Sequence, residues 1–315
     1  MPKRTAHFPF KKQLSLLLLL ILCLSVSGCA GTTRNAALEA PAEPASYIWS
    51  TVSYLGPEGT YTQEACGQFF EKQGAYLPYA TVNDAVEALV NGESDYAVIP
   101  QENTIGGAVI DYVDTLIAQT GVSVVGEVEL PINQNLLALP GVTIENIKTV
   151  YSHKQGIAQG REWLTEYLPD AAIIEVSSTA EGAKMVAEGN DASCAAIASA
   201  ACADVYGLNI LAAGIQNNES NKTRFYVLST EEPATAASDR LAFIATGEAK
   251  NLPGLMAELK NRKMTLITLH DRPQKTELGE YHYLIECSGG SYADYQKLTE
   301  KCPFSFRYLG SFSLR

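Results

Sequence analysis

Between residues 50 and 230 the chain alternates short apolar runs with amphipathic segments. The runs TVSYLG, YLPYA and DYAVIPQE are rich in β-branched and aromatic residues, which predicts three strands. The segments between them, such as TVNDAVEALVNG, repeat apolar residues every three or four positions, which predicts helices. Repeated strand–helix units of this kind indicate an α/β fold with a mainly parallel sheet and helices on both of its faces.

One long extended segment, VSVVGEVELPINQNLLAL at residues 122–139, interrupts this alternation. After it, strands at IKTVYSH, AAIIEVSS and CAAIAS alternate with helices at GREWLTEYL and TAEGAKMVAEG. The two groups of elements are joined through residues 128–139 and again near residues 205–230. The pattern therefore predicts two lobes with a cleft between them, within residues 50–230.

The pattern changes in the last third of the chain. Residues 231–239 (EEPATAASD) have the composition of a linker. Residues 240–315 then give the element order β-α-β-β-α-β, which is the ferredoxin-like arrangement. We expect a separate small domain there.

The first 28 residues resemble a secretory signal. Four cations precede an apolar run at residues 14–24, and Val26-Ser27-Gly28 lead directly into Cys29. The apolar run is too short for a lasting membrane span, so we expect residues 1–28 to be removed. Small residues before Cys29 resemble the lipobox of bacterial lipoproteins, which implies an exported protein anchored to the membrane by a lipid on Cys29. The alternative is an ordinary signal peptide cut near Ala30.

Residues 29–49 are mostly Ala, Pro, Glu and Thr, which predicts a flexible tether. Removal of residues 1–28 deletes four cations and no acid, so the formal net charge changes from −12 to −16. Such a chain gathers no phosphate-neutralising charge, which excludes a nucleic-acid partner. An anionic ligand must therefore be held by a local arrangement of donors.

Seven cysteines are present, and Cys23 lies in the signal segment. No pair among those that follow Cys29 has metal-ligand spacing, and surroundings such as EACGQFF and ASCAAIA are typical of buried free thiols. We therefore expect no disulfide framework, no metal and no cofactor. The five cysteines concerned are Cys66, Cys194, Cys202, Cys287 and Cys302.

Four strand-to-helix junctions carry hydroxyl, amide and glycine residues. In an open α/β sheet such junctions lie beyond the carboxyl ends of the strands, where ligands bind, and each opens a helix whose dipole favours an anion. The alternative is that the hydroxyl and amide residues cap the helices and the glycines allow tight turns. The junctions are Gly56 to Thr62, Glu102 to Gly107, Ser152 to Gly156, and Ser177 to Ala180.

The segment NKTRF (residues 221–225) begins another strand with an amide, two cations and a hydroxyl. With the four junctions it predicts a neutral, donor-rich pocket with one guanidinium, suited to a small dicarboxylate or keto acid. On an ideal strand Arg224 points away from Thr223, so it either contacts the ligand or anchors the strand. Phe225 returns to the face of Thr223 and is either a wall for a ring or part of the core.

Several motifs, in order along residues 51–229, resemble prephenate dehydratase: LGPEGTYTQEA, VIPQENTIGGAV, VYSHKQ, SSTAEGAK and NKTRF. The resemblance implies two α/β lobes like a type II periplasmic binding protein, with the active site between them. It implies that Thr223 donates a proton to the leaving hydroxyl. The substrate-binding residues that we assign on this basis are Asn103, Thr104, Ser152, Gln155, Ser178, Thr179, Asn221, Arg224 and Phe225.

The small C-terminal domain resembles the ACT domain that accompanies this family, through RYLGSF and an HDRP turn at residues 270–273. The resemblance implies a homodimer or homotetramer and an effector site for phenylalanine. Two segments differ from the family's usual G-A-L and E-S-R-P at that site. The residues concerned are Gly254, Leu255 and Met256, and His270, Asp271, Arg272 and Pro273.

Gln101 replaces the apolar residue usual in the family's P-I-E-N-S, which places a polar side chain where a buried strand residue is expected. The export signal is also unusual, because prephenate is made in the cytoplasm. Besides a dehydratase that uses prephenate or arogenate, the sequence allows a lipid-tethered binding protein for an aromatic or dicarboxylic acid. A structural role for a degenerate enzyme is a further alternative.

Overall fold

The computed structural model of the chain describes residues 49–315. The signal, Cys29 and all but the last residue of the predicted tether lie outside these residues. The described part contains three sheets. No helix within residues 49–315 is both long and apolar enough to cross a membrane.

The first sheet and its helices form the first lobe. Its strands lie in the order β2-β1-β3-β11-β5, and β4 pairs with the far end of β3. Helices α1, α2 and α3 follow β1, β2 and β4 along the chain. The bounds are β1 Thr51–Leu55, α1 Tyr61–Phe69, β2 Ala75–Tyr79, α2 Val82–Val90, β3 Tyr96–Asn103, β4 Gly107–Ala108, α3 Ile110–Ala118, β5 Ser123–Pro131 and β11 Lys222–Ser229.

The second sheet forms the second lobe, with strand order β10-β6-β9-β7-β8. The chain crosses into this lobe between β5 and β6 and returns between β10 and β11. Helix α7 and strand β10 were not predicted from the sequence. The bounds are β6 Asn135–Ala138, β7 Thr149–His153, α4 Lys154–Gln159, α5 Arg161–Tyr167, β8 Ala172–Val176, α6 Thr179–Gly189, β9 Cys194–Ala198, α7 Ala200–Tyr206 and β10 Asn209–Ala212.

The two-lobe arrangement with two crossings is confirmed, but the prediction of a mainly parallel sheet is wrong. Both sheets are mixed: β1 pairs in parallel with β2 and β3, whereas β11 is antiparallel to β3 and β5. In the second lobe β6 is antiparallel to β9 and β10. Both β6 and β11 are the strands by which the chain enters a lobe after a crossing, and each runs opposite to the strands beside it.

The third sheet, in the order β13-β14-β12-β15, is antiparallel throughout and carries two helices. Its βαββαβ element order is the predicted one. The predicted HDRP turn is wrong, because His270 to Pro273 are the last residues of β13 and pair with β14. The bounds are β12 Arg240–Glu248, α8 Leu252–Asn261, β13 Thr265–Pro273, β14 Glu280–Ser288, α9 Tyr292–Lys301 and β15 Ser305–Phe312.

Local sequence explains several helix starts. The Thr81 hydroxyl accepts a hydrogen bond from the Asp84 backbone N–H (3.0 Å) and caps α2, whose buried residues recur with helical spacing. Ser291 and Asp294 form a reciprocal capping box at the start of α9. These interactions involve residues three positions apart, so the sequence pattern alone indicates them.

The C-terminal domain packs against the first lobe through one continuous apolar cluster. Tyr112 and Tyr226 of the lobe share this cluster with Leu284 and Phe312 of the domain. Strand β15 approaches β5 so closely that a Cβ at Gly310 would lie 2.4 Å from the Val124 carbonyl oxygen, and the φ of this glycine is +142°. Only glycine fits both constraints.

A buried ionic cluster lies in the same interface. Glu127 of the lobe and Glu286 of the C-terminal domain are both 0% exposed. Arg224 Nη1 contacts Glu127 Oε1 (2.8 Å) and Glu286 Oε1 (3.0 Å), while Arg224 Nη2 contacts Glu102 Oε2 (2.8 Å). Arg240 Nε lies 3.5 Å from Glu127 Oε2 and 3.4 Å from Glu286 Oε1. Three carboxylates thus share two guanidinium groups.

Burial, and then repulsion from Glu286, raises the pKa of Glu127 from 4.5 to about 7, although Arg224 and Arg240 lower it. Between these two values the folded protein binds more protons at Glu127 than the unfolded chain does. The contribution of Glu127 to the stability therefore falls as the pH rises through this window.

Glu127→Gln should remove that pH dependence, because the amide is neutral at every pH. At pH 5 the variant and the wild type should have similar free energies of unfolding. At pH 8 the variant should have the higher free energy of unfolding, by up to ~3 kcal/mol, because each unit of pKa shift corresponds to ~1.4 kcal/mol. Urea denaturation from pH 5 to 8 measures the difference, and a difference that stays constant would contradict the assignment.

Candidate active site

A cavity of about 250 Å³ opens between the two lobes at the carboxyl ends of β1, β3, β7 and β8. It is lined from the first lobe by Thr60, Tyr61, Thr62, Pro100, Asn103, Val109, Thr223 and Phe225. The segment that crosses between the lobes contributes Ile132 and Gln134. The second lobe contributes His153, Gln155, Gly156, Gln159, Ser177, Ser178 and Thr179.

The wall of the first lobe is built on the pairing of β11 with β3. Thr223 lies opposite Asn103, which is 120 residues away along the chain. The Asn103 Nδ2 group donates to Thr223 Oγ1 at 2.9 Å. The Thr223 hydroxyl therefore accepts one hydrogen bond within the protein, and its own proton remains available for another acceptor.

Asn103 also joins the two lobes. Its Oδ1 atom accepts the backbone N–H groups of Ile105 (3.0 Å) and Gly106 (2.8 Å), and so fixes the turn after β3. The same oxygen accepts Gln155 Nε2 of the second lobe at 3.2 Å. Asn103 therefore orients Thr223, shapes its own turn and connects the lobes across the cleft.

Asn221 and Thr104 lie beside this pair but do not line the cavity. The side-chain oxygen of Asn221 accepts Asn103 Nδ2 (2.8 Å) and Thr104 Oγ1 (3.2 Å). Thr104 Oγ1 accepts the backbone N–H of Lys222 (3.0 Å). The structure thus places both residues around the start of β11, where they hold the strand that carries Thr223.

Arg224 and Phe225 lie on opposite faces of β11. Phe225 lines the cavity and is also part of the core of the first lobe. Arg224 points to the ionic cluster on the other face. Of the two roles considered for this residue, contact with the ligand and anchoring of the strand, the structure shows the second. The guanidinium predicted for the pocket is not among the lining residues.

The helix starts of the second lobe combine two roles. Ser178 lines the cavity, and its Oγ accepts the Glu181 backbone N–H (3.0 Å) as the N-cap of α6. His153 lines the cavity, and its Nδ1 accepts the Gln155 backbone N–H (3.3 Å) at the start of α4. The helix-capping alternative therefore describes both residues, although each also faces the cleft.

Two expectations about the junctions are corrected. Ser152 lies in the core, where its hydroxyl donates to the Ile197 carbonyl (2.7 Å), and it does not line the cavity. The junction at Glu102 to Gly107 does not open a helix directly, because a turn and the short strand β4 precede α3. In place of a helix N-terminus, this junction has a turn that the side chain of Asn103 holds by its hydrogen bonds.

Gln134 and Gln159 line the cavity but were not singled out from the sequence. Gln134 Nε2 donates to Gln159 Oε1 at 2.9 Å, and both side chains are buried. Tyr61, also in the wall, donates its hydroxyl to the Asn133 carbonyl (2.6 Å), and burial raises its pKa. The sequence feature that could have indicated a cavity residue here is the polar triplet Asn133-Gln134-Asn135, which lies within an otherwise apolar segment.

The cavity is rich in polar groups, which include the imidazole of His153. No Lys, Arg, Asp or Glu is among its lining residues in the described part of the chain. The amino ends of α1 and α6 open onto it at Thr60 and Ser178. Their free N–H groups and dipoles favour anionic groups, so negative charge can be bound without a cationic side chain.

The candidate effector residues have different surroundings in the C-terminal domain. Gly254 is exposed on α8, whereas Leu255 is fully buried in the domain core. His270 packs its ring edge-on against Tyr112 of the first lobe, at 5.8 Å between centroids. Arg272 forms a bidentate ion pair with Asp114 of α3 (2.5 and 2.7 Å). Asp271 and Pro273 are exposed.

The comparison of this sequence with known protein sequences identifies the prephenate dehydratase family. A family model described as prephenate dehydratase matches residues 52–233, more than half of the chain. A bifunctional chorismate mutase/prephenate dehydratase from Neisseria gonorrhoeae is 37% identical over 241 residues, which are 76% of this chain and 66% of that protein. The chain thus spans just under two thirds of the length of this relative.

Two solved structures are similar over 84% of this chain. Prephenate dehydratase from Arthrobacter aurescens, in complex with L-Phe, has a TM-score of 0.75 and 29% identity over 90% of its own chain. GqqA, a quorum-quenching acylase, has a TM-score of 0.76 and 23% identity over 98% of its chain. The likeness to GqqA shows the fold alone. The likeness to the Arthrobacter enzyme confirms the predicted fold class.

Proposed function

Because the chain belongs to the prephenate dehydratase family, we propose that it converts prephenate to phenylpyruvate, carbon dioxide and water. This is a lyase reaction, and its product places the protein in the route to phenylalanine. The observation that carries the proposal is the hydroxyl of Thr223, which lies in a two-lobed cavity and accepts a hydrogen bond from Asn103.

The reaction needs a proton donor for its leaving group. The ring carboxylate of prephenate departs as carbon dioxide, and its bonding electrons enter the ring. The ring hydroxyl is expelled, takes a proton from Thr223 and leaves as water, after which solvent restores the proton of Thr223. The gain of an aromatic ring drives the reaction, so the protein has only to assist the departure of the hydroxyl.

Thr223 is suited to this role by its environment rather than by its acidity. A hydroxyl that accepts a hydrogen bond becomes a better donor, and here Asn103 Nδ2 supplies that bond. The side chain is only 9% exposed, so water competes little for its proton. Positioned proton transfer contributes typically ~10²–10⁴-fold to a rate.

The neutral donors of the cavity suit the two carboxylates of prephenate. Gln155, Ser178 and Thr179 line the cavity from the second lobe and supply amide and hydroxyl groups, whereas the amide of Asn103 is already bonded to Thr223 and Asn221. The helix N-terminus at Ser178 adds backbone N–H groups. Preorganised neutral donors can stabilise the developing charge without a cation that would have to be desolvated. Phe225 provides an apolar wall for the ring.

Thr223→Ala should lower the kcat for prephenate by ~10²–10⁴-fold, because the proton donor is lost. Thr223→Ser keeps a hydroxyl and should retain much more activity than the alanine variant. Phenylpyruvate formation from prephenate by the purified protein at neutral pH is the measurement. Arogenate, which carries an amino group in place of the keto group, is a second substrate, and its turnover is followed as phenylalanine formation.

The matched control is Thr235→Ala, which makes the same change at an exposed threonine. It should leave turnover unchanged, and thermal melting should show that all three variants are folded. Near-normal turnover by Thr223→Ala would refute the role of Thr223. Saturable binding of prephenate without turnover by the wild type would instead indicate a binding protein.

The same proposal includes phenylalanine as an effector and a homo-oligomer formed through the C-terminal domain. The support for the effector is the relative solved in complex with L-Phe, which is similar over 84% of this chain. The support for the oligomer is the resemblance of residues 240–315 to the ACT domain. L-phenylalanine should lower the rate of phenylpyruvate formation, and D-phenylalanine should not. Light scattering should give at least twice the mass of one chain. A rate that is independent of L-phenylalanine would remove the effector from the proposal.

We further propose that the protein is exported and anchored by a lipid on Cys29. The support is the basic, apolar and small-residue pattern that precedes this cysteine. Mass spectrometry of the mature N-terminal peptide should show a lipid on Cys29, and Cys29→Ala should move the protein from the membrane fraction to the soluble fraction. An unmodified N-terminus at Ala30 would support the ordinary signal peptide instead.

A further inference from the structure

The end of β3 contains a β-bulge next to the proposed catalytic pair. Thr223 pairs with Asn103 and Arg224 pairs with Glu102, but the next residue of β11, Phe225, pairs with Pro100. Gln101 is therefore the extra residue of β3. Bulges interrupt the alternation of side chains and often occur beside active sites, where they redirect a residue.

The bulge decides which way Asn103 points. Pro100 and Asn103 both line the cavity, whereas Gln101 and Glu102 both contact the ionic cluster on the opposite face. In a regular strand, residues three apart lie on opposite faces. Without the extra residue, Asn103 would point away from the cavity whenever Pro100 faced it, and it could not donate to Thr223.

Glu286 of the C-terminal domain contacts both sides of this bulge. Its Oε2 atom accepts Gln101 Nε2 at 2.8 Å and the Tyr226 hydroxyl at 2.6 Å. Its Oε1 atom accepts Arg224 Nη1 at 3.0 Å, and Arg224 in turn contacts Glu102. The carboxylate is 0% exposed, so these charge-assisted bonds are shielded from water.

We propose that Glu286 is a positioning residue for the catalytic pair. By fixing Gln101 and Arg224, it holds the bulge that turns Asn103 towards the hydroxyl of Thr223. The C-terminal domain is then part of the support of the active site and not only an effector-binding module. The effect on turnover rests on the proposed function, whereas the effect on the bulge itself does not.

Glu286→Gln, studied in the full chain, tests this inference. The variant keeps the size of the side chain but loses the charge that both arginines share. The kcat for prephenate should fall by ~10–100-fold, because small displacements of catalytic groups cost up to ~10²-fold, and KM should change less than kcat. Hydrogen exchange in peptides that cover residues 98–104 and 222–226 should become faster.

Asp114→Asn is the matched control. It removes an ion pair with Arg272 across the same interface, and this pair is separate from the ionic cluster that contains Glu286. This variant should keep both the wild-type kcat and the wild-type hydrogen exchange at residues 98–104. An equal loss of kcat in both variants would show that any loosening of the interface lowers activity, and would overturn the specific role of Glu286.

A second variant covers the case in which Glu286→Gln does not fold. Gln101→Leu removes the amide at the bulge itself, and the fold should tolerate it because Glu286 Oε2 keeps the Tyr226 hydroxyl as a donor. It should also lower kcat more than KM. Wild-type kcat in a folded Glu286→Gln or Gln101→Leu variant would refute the inference. A wild type without turnover would refute the proposed function alone, and hydrogen exchange would still test the bulge.

Discussion

The insertion of β11 between β3 and β5 is the constraint on which the rest of the structure depends. This strand returns from the second lobe and completes the sheet of the first, which brings Thr223 beside Asn103. Its two faces serve different contacts: Thr223 and Phe225 face the cleft, whereas Arg224 and Tyr226 face the C-terminal domain. One strand thereby joins the cleft, the core and the third sheet.

The distribution of buried charge follows from the alternation of side chains between the two faces of β11. The chain is strongly acidic, yet its most buried charges lie in the ionic cluster behind the cleft and not in the cavity wall. A cavity whose described wall has amide, hydroxyl and backbone donors but no Lys or Arg can bind a dianion without the desolvation cost of such a buried cation. The ionic cluster instead connects the C-terminal domain to the strands that form the wall.

The fold by itself does not decide the reaction. A quorum-quenching acylase has as high a TM-score as a prephenate dehydratase, so the activity must be argued from the side chains in the cleft. Those side chains form one set in which Asn103 orients Thr223 and Gln155 reaches Asn103 from the second lobe. The hydrogen bond that connects the lobes and the one that orients the proposed proton donor therefore belong to the same network.

The sequence by itself determined most of the elements and most of the cleft residues, because apolar periodicity, caps and motif residues act over a few positions. Thr223, Asn103 and Ser178 were identified in this way. Only the tertiary structure decided the partners of Arg224, Gln101 and Gln134. These depend on a bulge and on contacts between residues far apart in the chain, such as Gln101 with Glu286, and no local pattern encodes them.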